Sequence, residues 1–175
     1  MFNSDGFKQA RYKHVKSPVE FVVSTIKLAG THQLPMPDLF DLGGTTTAMG
    51  QQLLNPPTVE GWHTGHEWID GGTLNERVNF AVNHLKSENI PGIKSIIDTL
   101  ESLSEGNIAD PQHFIDACLR QAGSMTVGEA TQASLIEYAE SDDGILNLEA
   151  DEEENGLIIT KMLQLLVSAP EFQFA

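Results

Sequence analysis

Cysteine is nearly absent from this sequence, which has one, Cys118. An intrachain disulfide is therefore excluded. Phe114, Ile115, Leu119 and Ala122 surround it at helical spacing, which marks it as a small core residue rather than a nucleophile. Positive charge is scarce too: ten Lys and Arg face twenty-five Asp and Glu, a net charge of -15. A polyanion is bound by neutralising its phosphates, so this balance argues against nucleic acid as a partner. Long apolar runs are missing as well. The best, Leu157 to Val167, is broken by Thr160, Lys161 and Gln164 and falls short of the roughly 20 residues that cross a bilayer. No basic and apolar leader opens the chain, since Met1 is followed by Phe-Asn-Ser-Asp-Gly, and the sequence as written is expected to stay in the cytoplasm. No alternating strand pattern, Gly-x-Ser-x-Gly elbow or Gly-Lys-Ser phosphate loop is found. Asp142-Asp143-Gly144 with Asn147 lacks the alternating acids and closing Glu of an EF-hand.

What is present reads as a globular chain, 40% apolar and 20% charged, of a length that makes residues 1–175 a single helical domain. Ser17, Pro18 and Glu20 open a first helix, with Val19, Val22, Val23 and Ile26 as its apolar face and Gly30 as its end. Pro35, Pro37 and Gly43-Gly44 give an irregular stretch before a short second helix expected over Thr45 to Leu54. Thr73 with Glu76 predicts a capping box for a third, striped by Leu74, Val78, Ala81, Val82 and Leu85. Ile93 to Leu103, Asp110 to Ala122, a segment capped by Thr126 and Glu129, and Glu154 to Ser168 complete about seven amphipathic helices. The expected fold class is all-α, with bundle-like packing. Nine acidic residues and no basic one lie between Glu137 and Glu154, opposite in sign to the opening Lys8, Arg11, Lys13 and Lys16. Solvated faces are the simplest account of that asymmetry.

Between the second and third helices runs a Pro/Trp/Gly-rich loop, Asn-Pro-Pro-Thr-Val-Glu-Gly-Trp-His-Thr-Gly-His-Glu-Trp from Asn55 to Trp68. Its pattern of Pro-Pro-x-Val-x-Gly-Trp, then Gly and Trp, then a helix bearing Arg77, resembles the signature of a large bacterial family catalogued as domain of unknown function 1800. Val15-Lys-Ser-Pro-x-Glu20 and the closing Leu165 to Gln173 are similar to two further phrases of that family, in the same order. The resemblance touches nearly the whole chain but implies its C-terminal part only, because family members are much longer. It carries no established activity. If a leader lies on an N-terminal portion outside this sequence, the protein is expected to be exported instead.

Two readings follow. In the first, the chain is a binding or scaffolding protein, with Trp62, Trp68 and Arg77 as ligand or partner contacts and the missing N-terminal portion among the candidate protein partners. Trp62 then plugs the core, Pro56 and Pro57 stiffen its approach, and the histidines diverge. Arg77 reaches loop carbonyls or pairs with Glu60, Glu67 or Asp70. In the second, His63, His66, Glu67 and Asp70 hold a divalent metal, since imidazole and carboxylate suit zinc-like ions, and a metal-activated water hydrolyses a glycan or ester. His-Thr-Gly-His-Glu matches neither helical zinc-protease pattern, and no cofactor is otherwise indicated.

Overall fold

Ser17 starts the first helix as its sequence prescribes. Its hydroxyl accepts from the Glu20 N–H, the Glu20 carboxylate accepts from the Ser17 N–H, and Gly30 ends the helix at a left-handed φ of 73°. In the computed structural model, which describes residues 4–6, 13–31, 39–86, 90–104 and 106–174, this helix is α1 (Pro18–Ala29). It is followed by α2 (Leu39–Ala48), α3 (Gly71–His84), α4 (Pro91–Leu103), α5 (Pro111–Gln121), α6 (Glu129–Glu140) and α7 (Glu152–Ser168). Among the described residues there are seven α-helices, two short 3-10 turns at Gly65–Trp68 and Pro170–Gln173, and no strand. The all-α expectation holds. Phe2, Phe7, Tyr12, Pro35, Met36 and Pro37 lie outside the described residues.

α7 is the hub, packing against α3, α4, α5 and α6. Ile159, Met162, Leu163, Leu166 and Val167 make its second half apolar on most sides, and all five are buried. Such a helix belongs at the centre of a small domain, with amphipathic neighbours shielding it. α1 joins this core through α3 and α4. Its approach to α4 is close enough that a Cβ on Gly92 would collide with the Leu28 carbonyl, so only glycine fits there. α2 packs on α1 and α3, at the edge of the bundle.

Several local expectations are corrected. α2 begins earlier than Thr45 and runs through Gly43-Gly44, because the Thr45 and Thr47 hydroxyls bond back to the Asp41 and Gly43 carbonyls and support that turn. Gly50, at φ 97°, takes the chain out of it. α3 begins one turn before Thr73: Asp70 is the N-cap, accepting from the Gly72 and Thr73 N–H groups, and Thr73 closes the box reciprocally. On its inner face Arg77, Ala81 and Leu85 are buried, whereas Leu74 is exposed. On α1 the inner face is Phe21, Val22, Thr25, Ile26, Leu28 and Ala29, leaving Val23 43% exposed at the edge. α6 has Gly128 rather than Thr126 as its N-cap residue, and its first turn is served by a carboxylate from the far end of the chain, Glu171.

Candidate functional site

The chain from Met49 to Asp70 leaves α2, projects outward, returns through the 3-10 turn Gly65–Trp68 and enters α3. Short-range bonds hold it. Thr58 and Gly61 pair across a turn, with the Thr58 hydroxyl donating to the Gly61 carbonyl at 3.2 Å. The Asn55 N–H and Trp62 Nε1 both donate to the Gln52 carbonyl, each at 3.2 Å. Asn55 and Pro56 each precede a proline, which forces both toward extended backbone. At the tip, Leu54 sits at a positive φ of 63° with 97% of its surface exposed, and Val59 is fully exposed.

The expectation that Trp62 plugs the core is corrected. Trp68 is the plug, 5% exposed; Trp62 is half-buried and lies along the loop's own backbone. The cause is position: Trp68 ends a tight turn directly before the α3 cap, where the Thr73 hydroxyl donates to its carbonyl at 3.0 Å. Beneath the loop is a pocket of about 430 Å³, its floor made by Met49 and Trp68 and its rim by His63, Glu67, Asp70 and Thr73. His63 Nδ1 and Glu67 Oε2 are 3.1 Å apart. Asp70 is held below the usual carboxylate range, first by the Thr73 N–H and then by the Thr73 hydroxyl and the Gly72 N–H, so it is ionised at neutral pH. His66 turns away, its ring 6.4 Å from that of Phe174. The histidines diverge, and among the described residues no three His, Cys, Asp or Glu side chains gather as a metal ion needs.

Arg77 departs furthest from expectation. It is fully buried and reaches none of Glu60, Glu67 or Asp70 at ion-pair distance. Its guanidinium points across the bundle, donating to the Lys16 carbonyl at 2.9 Å and to Gln173 Oε1 at 3.4 Å, 5.3 Å over the Phe21 ring. Burial lowers its pKa to about 10 against the opposing pull of Glu20. Lys16 completes the arrangement: its N–H donates to the Gln173 carbonyl, and its ammonium donates to the Phe172 carbonyl at 2.9 Å while lying 4.3 Å from that ring's centre. Burial pulls Lys16 down to about 8; Glu20 opposes this and the like charge of Arg77 adds to it. Arg77 is therefore a clasp between the segment before α1 and the one after α7. Reasoning from the sequence singled out Arg77 but missed Lys16, Phe172 and Gln173 as its surroundings, although they lie in the two other phrases that resemble the family.

Among the described residues no helix is long and apolar enough to cross a membrane. A family model described as "Protein of unknown function (DUF1800)" matches residues 1–174. No curated protein and no solved structure matches the chain.

Proposed function

From the premise that the chain belongs to the DUF1800 family, we propose that it is a binding or scaffolding module, one helical unit that docks a protein partner through the loop between α2 and α3. The observation that carries this is Leu54. A leucine in the left-handed region costs roughly 1–2 kcal/mol relative to ordinary backbone, and its apolar surface gains nothing while solvated. At 97% exposure neither cost is offset inside the chain, though glycine or asparagine would serve the turn better. Docked against a partner, the side chain recovers roughly 1.5–3 kcal/mol. The loop's internal bonds and prolines hold it in one shape, so less conformational entropy is lost on docking. Metal-assisted hydrolysis is not favoured, because His66 turns away from the pocket and the Arg77 guanidinium is buried against Lys16 and Gln173.

The test is a photoreactive residue at position 59, compared in source cells with the same residue at Ile108, which is exposed on the α4–α5 connection. Docking predicts one discrete protein adduct from position 59 and none from position 108. No discrete adduct at either, with the fold intact by circular dichroism, would end the docking reading.

A further inference from the structure

We infer that the partner presents aliphatic residues beside arginine or lysine, and that one such basic side chain enters the pocket beneath the loop while the aliphatic ones cover Leu54 and Val59. The inference rests on the docking reading and adds the chemistry of what is docked. It stands on charge complementarity at two scales. Locally, the pocket carries two carboxylates, Glu67 and Asp70, above an indole and thioether floor, and among the described residues no Lys or Arg lines it. Arg77, the cation nearest in sequence, has its guanidinium committed to Lys16 and Gln173. His63 Nδ1 meets Glu67 at Oε2, and Glu67 Oε1 has no hydrogen-bond partner among the described residues. Asp70 caps α3 by accepting the Gly72 and Thr73 N–H groups at Oδ1, and its carboxylate is exposed at the rim. A guanidinium offers several donors on a flat, weakly hydrated body, which suits carboxylates over an aromatic floor.

At the larger scale, the loop and the helix segments that flank it, residues 39–76, carry five exposed carboxylates, Asp41, Glu60, Glu67, Asp70 and Glu76, and no Lys or Arg, within a chain of net charge -15. Such a surface steers basic segments toward it and repels anionic lipid and second copies of itself. Apolar anchors inside an acidic surround describe a partner with basic flanks around aliphatic residues.

The experiment uses the full chain with methyl-labelled Leu and Val and observes the Trp68 indole. It is titrated with a short synthetic peptide of alternating Leu and Arg, and with counterparts in which Arg is replaced by citrulline or by Glu. The Arg peptide is expected to shift the Leu54 and Val59 methyls together with the Trp68 indole, and to weaken as salt is raised. Glu67→Gln and Asp70→Asn, the latter retaining a capping side chain, are each expected to weaken it by about threefold to fivefold. Equal binding of the citrulline peptide, shifts that avoid the Trp68 indole, or no shifts would overturn the inference. So would sedimentation showing the loop occupied by a second copy, or vesicles of anionic lipid giving the same shifts. A discrete adduct at position 59 with a failed Arg peptide would retain docking and discard its basic chemistry; loss of both would discard the two together.

Discussion

Arg77 carries a charge into the interior with no carboxylate at ion-pair distance among the described residues, and its neighbours explain how that is tolerated. Two acceptors and the face of Phe21 replace part of its hydration, although Nε finds no acceptor among the described residues. Removing it strands the Lys16 carbonyl and the Gln173 amide oxygen, and an unmet buried polar group costs about 1–3 kcal/mol. Arg77→Met, which fills similar space, is expected to destabilise by about that amount, and Arg77→Ala by more, through the added cavity. Urea unfolding orders the three proteins. A Met variant as stable as the parent would show that desolvating the guanidinium costs as much as its bonds return. Lys16 supplies a pH test with a definite sign. Its folded pKa of about 8 lies below the ordinary 10.5, so between those values the unfolded chain binds the extra proton and stability rises with pH. Below 8 both states are protonated and the rise is absent. Lys16→Met should flatten this dependence between pH 8 and 9, below the range where Cys118, raised above 9.0 by burial, and Tyr138, pushed up to about 12 mainly by burial, act in the opposite sense. An unchanged profile would remove Lys16 as its source.

Elements in this chain are finished by side chains from distant sequence, and this separates what was legible from what was not. The Ser17–Glu20 box and the Asp110-Pro111 start of α5 are local signals, and both helices begin where those residues place them. The start of α6 is different: Glu171 accepts from the Gly128 N–H at 2.7 Å and from the Thr131 hydroxyl at 2.9 Å, across 40 residues or more. No local pattern announces that contact. The Trp68 plug was hidden in the same way, since either tryptophan of the loop could turn inward until Asp70 fixed where α3 begins. Arg77 reads as polar in any periodicity count, yet it occupies an inner position with Ala81 and Leu85. Burial alone would raise the Glu171 pKa; its bonds to Gly128 and Thr131 outweigh that and hold it below the usual 4.5. Its contribution is therefore present above the unfolded carboxylate value and lost as pH falls through the lower folded one. Glu171→Ala should cost about 0.5–2 kcal/mol at neutral pH, as loss of a cap does, and less in acid. A cost independent of pH would mean that packing, not the carboxylate, is what Glu171 supplies. In the loop, Leu54→Asn should raise stability by about 0.5–1 kcal/mol by relieving the left-handed leucine and should abolish the adduct at position 59. Stability and partner binding moving in the same direction would break the link between strain and docking.

Across the whole molecule, burial is graded from a centre to an edge. α7 touches four helices and is lined with side chains excluded from water, whereas α2 packs chiefly on α1 and α3. The clasp of Lys16, Arg77 and Gln173 ties α3 to the segments before α1 and after α7, so those segments belong energetically to the centre. Local opening follows the number of buried contacts an element must break. Amides of α7 are therefore expected to exchange only through global unfolding, and those of α2 through a smaller opening that leaves α7 protected. Leu163→Ala, which opens a cavity in the hub at a cost of about 2–5 kcal/mol, should speed α7 exchange by its full destabilisation and leave α2 exchange nearly unchanged. Arg77→Met should instead speed exchange at Lys16 and Phe174, whose N–H groups bond within the clasp and the turn beside it. Uniform acceleration of every amide in the Leu163→Ala protein would show that α2 and the loop unfold with the hub as one unit. The docking loop would then be mounted on a rigid body rather than on an edge that opens independently.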